Sequence, residues 1–308
     1  MVDVDTFRLV LDVVVDAFCK AQPPPETRPG PGAALSRSEV VALAVFGQWG
    51  VVRSERGFYR YARRRLRGAF PALPDRSRFN RLQRTHRGAI AAVFLHLAEV
   101  LDAAAAPYEA LDGSAVPTRN AKRRGGGWLD GRAAIGWSPN LGWDEGVLLL
   151  TAVPPDGVVT GCGVGPASAR DHQLAEAVLA ARRRPDPRLP TVGAPAAGPD
   201  AADKGFEGRD HHARWRGADG AAVIHPPKRT SRQPWPKALR RWLAGVRRIV
   251  ETVYDKLQDA FRLRSERPHD LSGLQARLAA KAALHNFCLW LNTQLGREPL
   301  AFADLIAW

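Results

Sequence analysis

Between positions 246 and 261 the chain is apolar at Val246, Ile249, Val250, Val253, Leu257, Ala260 and Phe261. Steps of three and four wind these side chains into one stripe of an amphipathic helix. Glu251 falls off the stripe. At about 100° per residue it lies roughly 135° from the stripe's centre, on the side of Arg247, Tyr254 and Gln258. The stripe anchors the helix and a carboxylate is held away from it.

The same spacing at Phe7, Val10, Leu11, Val14 and Phe18 predicts a first helix, capped by Asp5 or Thr6. Residues 22–34 form a proline- and glycine-rich linker. Ser36 and Glu39 bracket a capping box that opens a second helix, running through Phe46. A third, basic helix covers residues 57–67, and one long helix over 77–105 closes an all-helical head.

From Tyr108 the period changes. Residues 108–111 read as a short strand ending at Asp112-Gly113-Ser114. Residues 147–153 are a buried-strand run, Pro154–Gly157 a tight turn, and 158–164 the returning arm of a hairpin. Residues 171–181 read as a helix, 221–224 as a short strand, and 271–295 as a final long helix. Strands followed by helices predict a layered α/β domain over 107–308, behind an α-helical head over 1–106.

Charge changes the picture more than composition does. Hydrophobic residues make up 45% of the 308, which is ordinary for a globular protein. The formal charge is +14 and the isoelectric point about 10.6, a balance that favours polyanionic partners, nucleic acid first. The basic residues are seven lysines and 38 arginines, a composition that suits bidentate phosphate contacts and that a GC-rich genome would also produce. Eleven arginines stand between positions 53 and 84 against Glu55 and Asp75, interleaved with Phe58, Tyr59, Tyr61 and Phe79. Arg60, Arg63, Arg64 and Arg65 belong to this segment, which reads as a DNA-backbone contact or as a solvated charged face.

Three cysteines far apart suggest neither zinc nor a disulfide framework, and a reducing, cytoplasmic setting fits. The acidic N-terminus does not read as a signal peptide, and no apolar run reaches the ~18 residues of a membrane span. No membrane partner is expected.

Phosphodiester chemistry with two metal ions needs carboxylates converging on hard cations. Asp112 at a strand end, Asp203 ahead of a second short strand and Glu251 on a covering helix could converge so, 91 and 48 residues apart along the chain. Taken singly, Asp112 and Asp203 also read as turn residues. Asp171-His172 reads as a helix start rather than an acid/base pair, and His211, His212 and His225 as solvated loop histidines.

Together the segments YEALDGSAVP, GVLLLTAVPPDGVVTGCGVGPASARDHQLAEAVL, ADKGF and RRIVETVYDKLQDAFRLRSERPHDLSGLQARLAAKAALHNFCLWLN resemble bacterial insertion-sequence transposases of the DDE class. The resemblance runs from about Tyr108 to Asn292, and extends into the head through SRSEVVALAVF and FPALPDRSRFNRL. It implies a ribonuclease H-like mixed sheet with flanking helices. It implies that Asp112, Asp203 and Glu251 are catalytic and bind two Mg²⁺ ions, with Mn²⁺ as an alternative. It further implies DNA as partner, both element ends and target, and a homodimer on paired ends. Arg119, Lys122, Arg123, Arg124, Lys228, Arg229 and Arg232 would then line the DNA path. The segment VGAPAAGPDAAD before Asp203 departs from the family's apolar strand and leaves Asp200 as a rival ligand. A catalytically inactive DNA-binding remnant, or a ribonuclease H-like nuclease that hydrolyses without joining, are the alternative readings.

Overall fold

The computed structural model describes residues 1–23, 33–52, 54–119, 129–138, 142–184, 191–227 and 232–308. After a two-residue strand, β1 (Val2–Asp3), helix α1 (Val4–Ala21) buries Phe7, Leu11, Val15 and Cys19, one residue per turn. Its cap is Asp3, not Asp5 or Thr6. Asp3 still has an extended backbone, and its carboxylate accepts from the N–H groups of Asp5 and Thr6 at 3.1 and 2.9 Å. Helix α2 (Arg37–Phe46) opens on the expected Ser36–Glu39 capping box and is buried from Val40 onward. Helix α3 (Glu55–Arg65) turns Phe58 and Ala62 inward.

The long helix expected over 77–105 is two helices, α4 (Arg76–Thr85) and α5 (Arg87–Val100), divided at His86. The division follows a change of character. Helix α4 is polar and buries only Phe79, whereas α5 buries Ile90, Ala91, Val93, Phe94, Leu97 and Ala98. A bend lets the apolar half enter the core while the arginine-rich half stays at the surface.

Strand β2 (Glu109–Arg119) does not stop at Asp112. Its antiparallel pairing with β4 (Gly142–Val153) sets Asp112 opposite Thr151 and continues to Arg119 opposite Glu145. Strand β3 (Ala134–Ser138), in a stretch where no strand was expected, forms a hairpin with the start of β4. The expected hairpin after residues 147–153 is present. Gly157 adopts φ +83°, closing a turn that delivers β5 (Gly161–Pro166) antiparallel to β4. Helix α6 (Asp171–Arg183) follows, then the two-residue strands β6 (Val192–Gly193) and β7 (Asp200–Ala201), helix α7 (Arg209–Arg214) and β8 (Val223–Ile224). The order across the sheet is β6-β5-β4-β2-β7-β8, with β7 and β8 parallel to β2.

Helix α8 (Lys237–Asp255) and helix α9 (Leu271–Gln294) complete the fold, and β9 (Ile306–Ala307) pairs with β1. One face of the sheet packs Ala110, Leu149 and Val153 against Val246, Val250, Val253 and Leu257 of α8, in a core that continues into α9 and the head. The other packs Leu111, Leu150 and Ala152 against Leu174, Ala175, Val178 and Leu179 of α6, with Phe206 and Trp215. Covering on both faces explains the unbroken apolar run in β4. Among the described residues no helix is long and apolar enough to cross a membrane.

Candidate functional site

Strand alternation gives Asp112 to the α8 side of the sheet, with Ala110 and Ser114. Three residues of the polar side of α8 reach it there. Arg247 donates Nη2 to Asp112 Oδ2 at 3.0 Å, and Gln258 donates to Ser114 Oγ at 2.9 Å. The Tyr254 hydroxyl lies 2.8 Å from the carbonyl oxygens of both Asp112 and Leu149. The Gly113 N–H donates to Asp112 Oδ1 at 3.0 Å. Burial pushes the Tyr254 phenol well above its ordinary pKa. The helix is therefore held by its apolar stripe and also by the opposite, polar side.

Asp203 arrives from the neighbouring strand. In the parallel pair β2–β7, Glu109 faces Asp200 and Ala110 faces Ala201. That offset of 91 residues also carries Asp112 to Asp203, just past the end of β7. Asp203 caps a short turn and accepts the Gly205 N–H at 2.6 Å.

A third carboxylate joins them, and it is Asp171, the first residue of α6, which reaches in from the opposite face. A Cβ added to Gly205 would lie 2.8 Å from Asp203 Oδ1 and 3.3 Å from Asp171 Oδ2. Burial, then the charges of Asp203 and Asp112, push the Asp171 carboxyl up to about 6 against the pull of Arg247. Burial also raises Asp112. Arg247 and the Gly113 N–H oppose it, and Asp203 adds to it. In the sequence Asp171 shows only as a helix start, which it is. Nothing in its neighbours signals the second role.

Glu251 stands on the same line of α8 as Arg247, Tyr254 and Gln258, but it is solvent-exposed and forms no ion pair among the described residues. Asp200, the rival for second ligand, is committed elsewhere. It is buried, and both of its oxygens accept from Arg182 Nη1, at 2.8 and 2.9 Å, while Arg182 Nη2 holds the buried Glu109. Asp203, not Asp200, is the acid brought beside Asp112. Among the described residues no three His, Cys, Asp or Glu side chains are grouped so as to hold a metal ion as they stand.

The histidines are not solvated singly. His211 and His212 sit on α7 with their rings 5.8 and 5.1 Å from that of Trp215, His172 lies 4.4 Å from His211, and His225 lies 4.7 Å from His212. The buried Trp215 gives them an aromatic surface to pack on.

Arg60, Arg63, Arg64 and Arg65 are exposed on α3, and Arg232 is exposed ahead of α8. Arg119 is the last residue of β2. Lys122, Arg123, Arg124, Lys228 and Arg229 lie outside the described residues. Comparison with protein-family models, with curated proteins and with solved structures gives no match.

Proposed function

We propose that this chain is a DNA transposase of the DDE class, with Asp112, Asp203 and Glu251 as its acidic residues and a ribonuclease H-like catalytic domain. The observation that carries the proposal is the register of β2 and β7, which sets Asp112 and Asp203 side by side. The sheet order supports it too. Strands β5, β4 and β2 are mutually antiparallel, β7 and β8 run parallel to β2, and α8 lies across β2 with Glu251 on its polar side.

The donors fit a hard divalent ion. Asp112, Asp203 and the adjacent Asp171 offer only carboxylate oxygens, and Mg²⁺ typically needs one or two protein carboxylates beside water and phosphate. Asp112 and Asp203 would hold Mg²⁺ or Mn²⁺, joined by Glu251. Once bound, the ions supply Lewis-acid stabilisation of the phosphoryl oxygens. The chain's own residues do the rest. Gly113 and Gly205 leave room for Asp171 between the two acids. Arg247 balances Asp112 until a cation takes its place, and α8 fixes the distance from β2 through Tyr254. The exposed arginines of α3 would take the DNA backbone, where each phosphate neutralised contributes a log–log salt slope of roughly −0.9.

A second reading has its own support. Arg247 already occupies Oδ2 of Asp112 and Glu251 is exposed, an arrangement that also suits a DNA-binding remnant without catalysis. Incubating the protein with linear DNA carrying the element's ends, with and without Mg²⁺, separates the two. Cleavage should require the metal and disappear in Asp112→Asn, Asp203→Asn and Glu251→Gln, while Asp200→Asn should cut in proportion to its folded fraction. Binding without any cleavage would establish the remnant.

A further inference from the structure

Away from Asp112, the head and the chain leading into α9 enclose a polar cleft of about 480 Å³. Its size falls within the range of roughly 300–1,000 Å³ that small-molecule sites occupy. Six arginines line it, Arg56, Arg76, Arg84, Arg262, Arg267 and Arg277, against the acids Glu55, Glu266 and Asp270. Each acid is already engaged. Glu55 pairs with Arg277, Glu266 with Arg277 and Lys281 at 3.0 and 2.8 Å, and Asp270 with Arg84 at 3.0 Å. Arg56 and Arg76 are exposed and form no ion pair or hydrogen bond among the described residues, so the cleft keeps a surplus of positive charge.

Two buried polar atoms on its wall also have no partner, Nε of Arg262 and Oδ1 of Asn80. Buried donors and acceptors are nearly always satisfied, so an orphan pair facing a cleft points to something that enters it. Arg262 is held there by donating Nη2 to the Gly47 carbonyl at 3.0 Å. The first turns of α3, α4 and α9 add to the field, because Glu55, Arg56, Arg76, Ser77 and Gly273 all line the cleft. Helix N-termini carry partial positive charge and unpaired N–H groups.

We infer that this cleft is a binding site for a phosphodiester segment of a DNA strand, with the phosphate held by Arg56, Arg76 and Arg262 and a base edge within reach of Asn80 and Gln83. The choice of DNA over another phosphate ester rests on the transposase reading. The site itself rests on the cleft. It is separate from the exposed arginines Arg60, Arg63, Arg64 and Arg65, none of which lines it.

The test is fluorescence anisotropy of the full chain with a short labelled DNA strand in EDTA, where no cleavage occurs. Arg56→Gln/Arg76→Gln should weaken binding at least about tenfold and flatten the log–log salt slope by roughly two, one contact for each arginine removed. Asn80→Leu should weaken binding while leaving the slope alone, which a general loss of charge would not do. Circular dichroism checks that the variants fold, as the exposure of Arg56 and Arg76 leads one to expect. Unchanged affinity and slope in the double variant would overturn the inference. Displacement of the strand by inorganic phosphate as effectively as by unlabelled DNA would replace the strand with a small anion. A protein that binds through the cleft but never cuts with Mg²⁺ would sink the transposase reading alone. One that cuts yet is indifferent to Arg56 and Arg76 would sink the cleft alone.

Discussion

A Cβ on Gly113 would stand 2.5 Å from Oδ1 of Asp171. The two residues come from opposite sides of the candidate site, one from the middle of β2 and one from the start of α6. The missing side chain on the strand is what allows the helix's carboxylate to reach the plane of Asp112 and Asp203. Gly113→Ala should therefore destabilise the protein by about 1–2 kcal/mol, since Asp171 has to rotate away from its place. In an Asp171→Ala background the same change should cost far less. Urea denaturation of the two single variants and the double variant measures the coupling. Simple additivity would mean that the two residues do not compete for this space.

Tyr254 ties α8 to the sheet at one point. Its hydroxyl has one proton and two carbonyl oxygens within 2.8 Å, those of Asp112 and Leu149. Tyr254→Phe leaves a buried acceptor without its donor and should destabilise by about 1–2 kcal/mol. If cleavage depends on the seating of α8 against β2, kcat should fall further than the loss of folded protein explains. Equal stability of wild type and variant would remove this tether from the account.

How much of this was legible in the sequence depended on side-chain size. The stripe of α8, the capping box at Ser36–Glu39 and the turn ending at Gly157 rest on bulky apolar residues or on turn chemistry, and the structure reproduces them. The strands β6, β7 and β8 are two residues each, set among Ala, Gly and Pro, and carry no period to read. Asp203 could be placed only through a resemblance, and its neighbour across β2 became visible once the register was known. Asp171 was hidden because a carboxylate at a helix start already has a sufficient local explanation. The internal ion clusters were hidden for a different reason. Glu109, Arg182, Asp200, Glu266 and Lys281 look like surface charges in a chain this basic, and only three-dimensional pairing makes their burial tolerable.

The first of these clusters predicts a pH dependence. Burial, opposed by Arg182 and reinforced by Asp200, pushes the Glu109 carboxyl up to about 7. The folded protein thus keeps a proton there that the unfolded chain releases near pH 4.5. Stability from this group is greatest below pH 4.5, declines as pH rises to about 7, and is flat above. Glu109→Gln should erase that slope, with a gain on the order of 1–3 kcal/mol over wild type at pH 8 and little difference at pH 4. Arg182 keeps both oxygens of Asp200 in the variant, so it is not left unpaired. Melting temperatures across this pH range decide it, and an unchanged slope in Glu109→Gln would place the titration elsewhere.

The second cluster predicts an asymmetry between two partners of one ion pair. Lys281 is fully buried on α9, 2.8 Å from Glu266, and otherwise meets only neutral acceptors, Gln48 Oε1 at 2.8 Å and the Phe261 carbonyl at 2.5 Å. Glu266 has a second cation, Arg277, at 3.0 Å. Burial alone would raise its carboxyl, but Lys281 and Arg277 outweigh that and hold it below the usual range. Its stabilisation is therefore present above pH 4.5 and is lost as pH falls through its depressed value. Burial acts the other way on Lys281, whose ammonium is held below its usual pKa with Glu266 opposing. Glu266→Gln strands a buried ammonium without a counter-charge, and should destabilise by about 3–5 kcal/mol at pH 7. Lys281→Met leaves Glu266 with Arg277 and puts a residue of similar length among apolar neighbours, so it should cost clearly less. The double variant should be no less stable than Glu266→Gln alone, because the stranded charge is gone. Urea midpoints for the three variants at pH 7 test the ordering. A larger loss for Lys281→Met than for Glu266→Gln would show that the lysine, through Gln48 of the head and Phe261, holds the head to the sheet by its hydrogen bonds rather than by its charge.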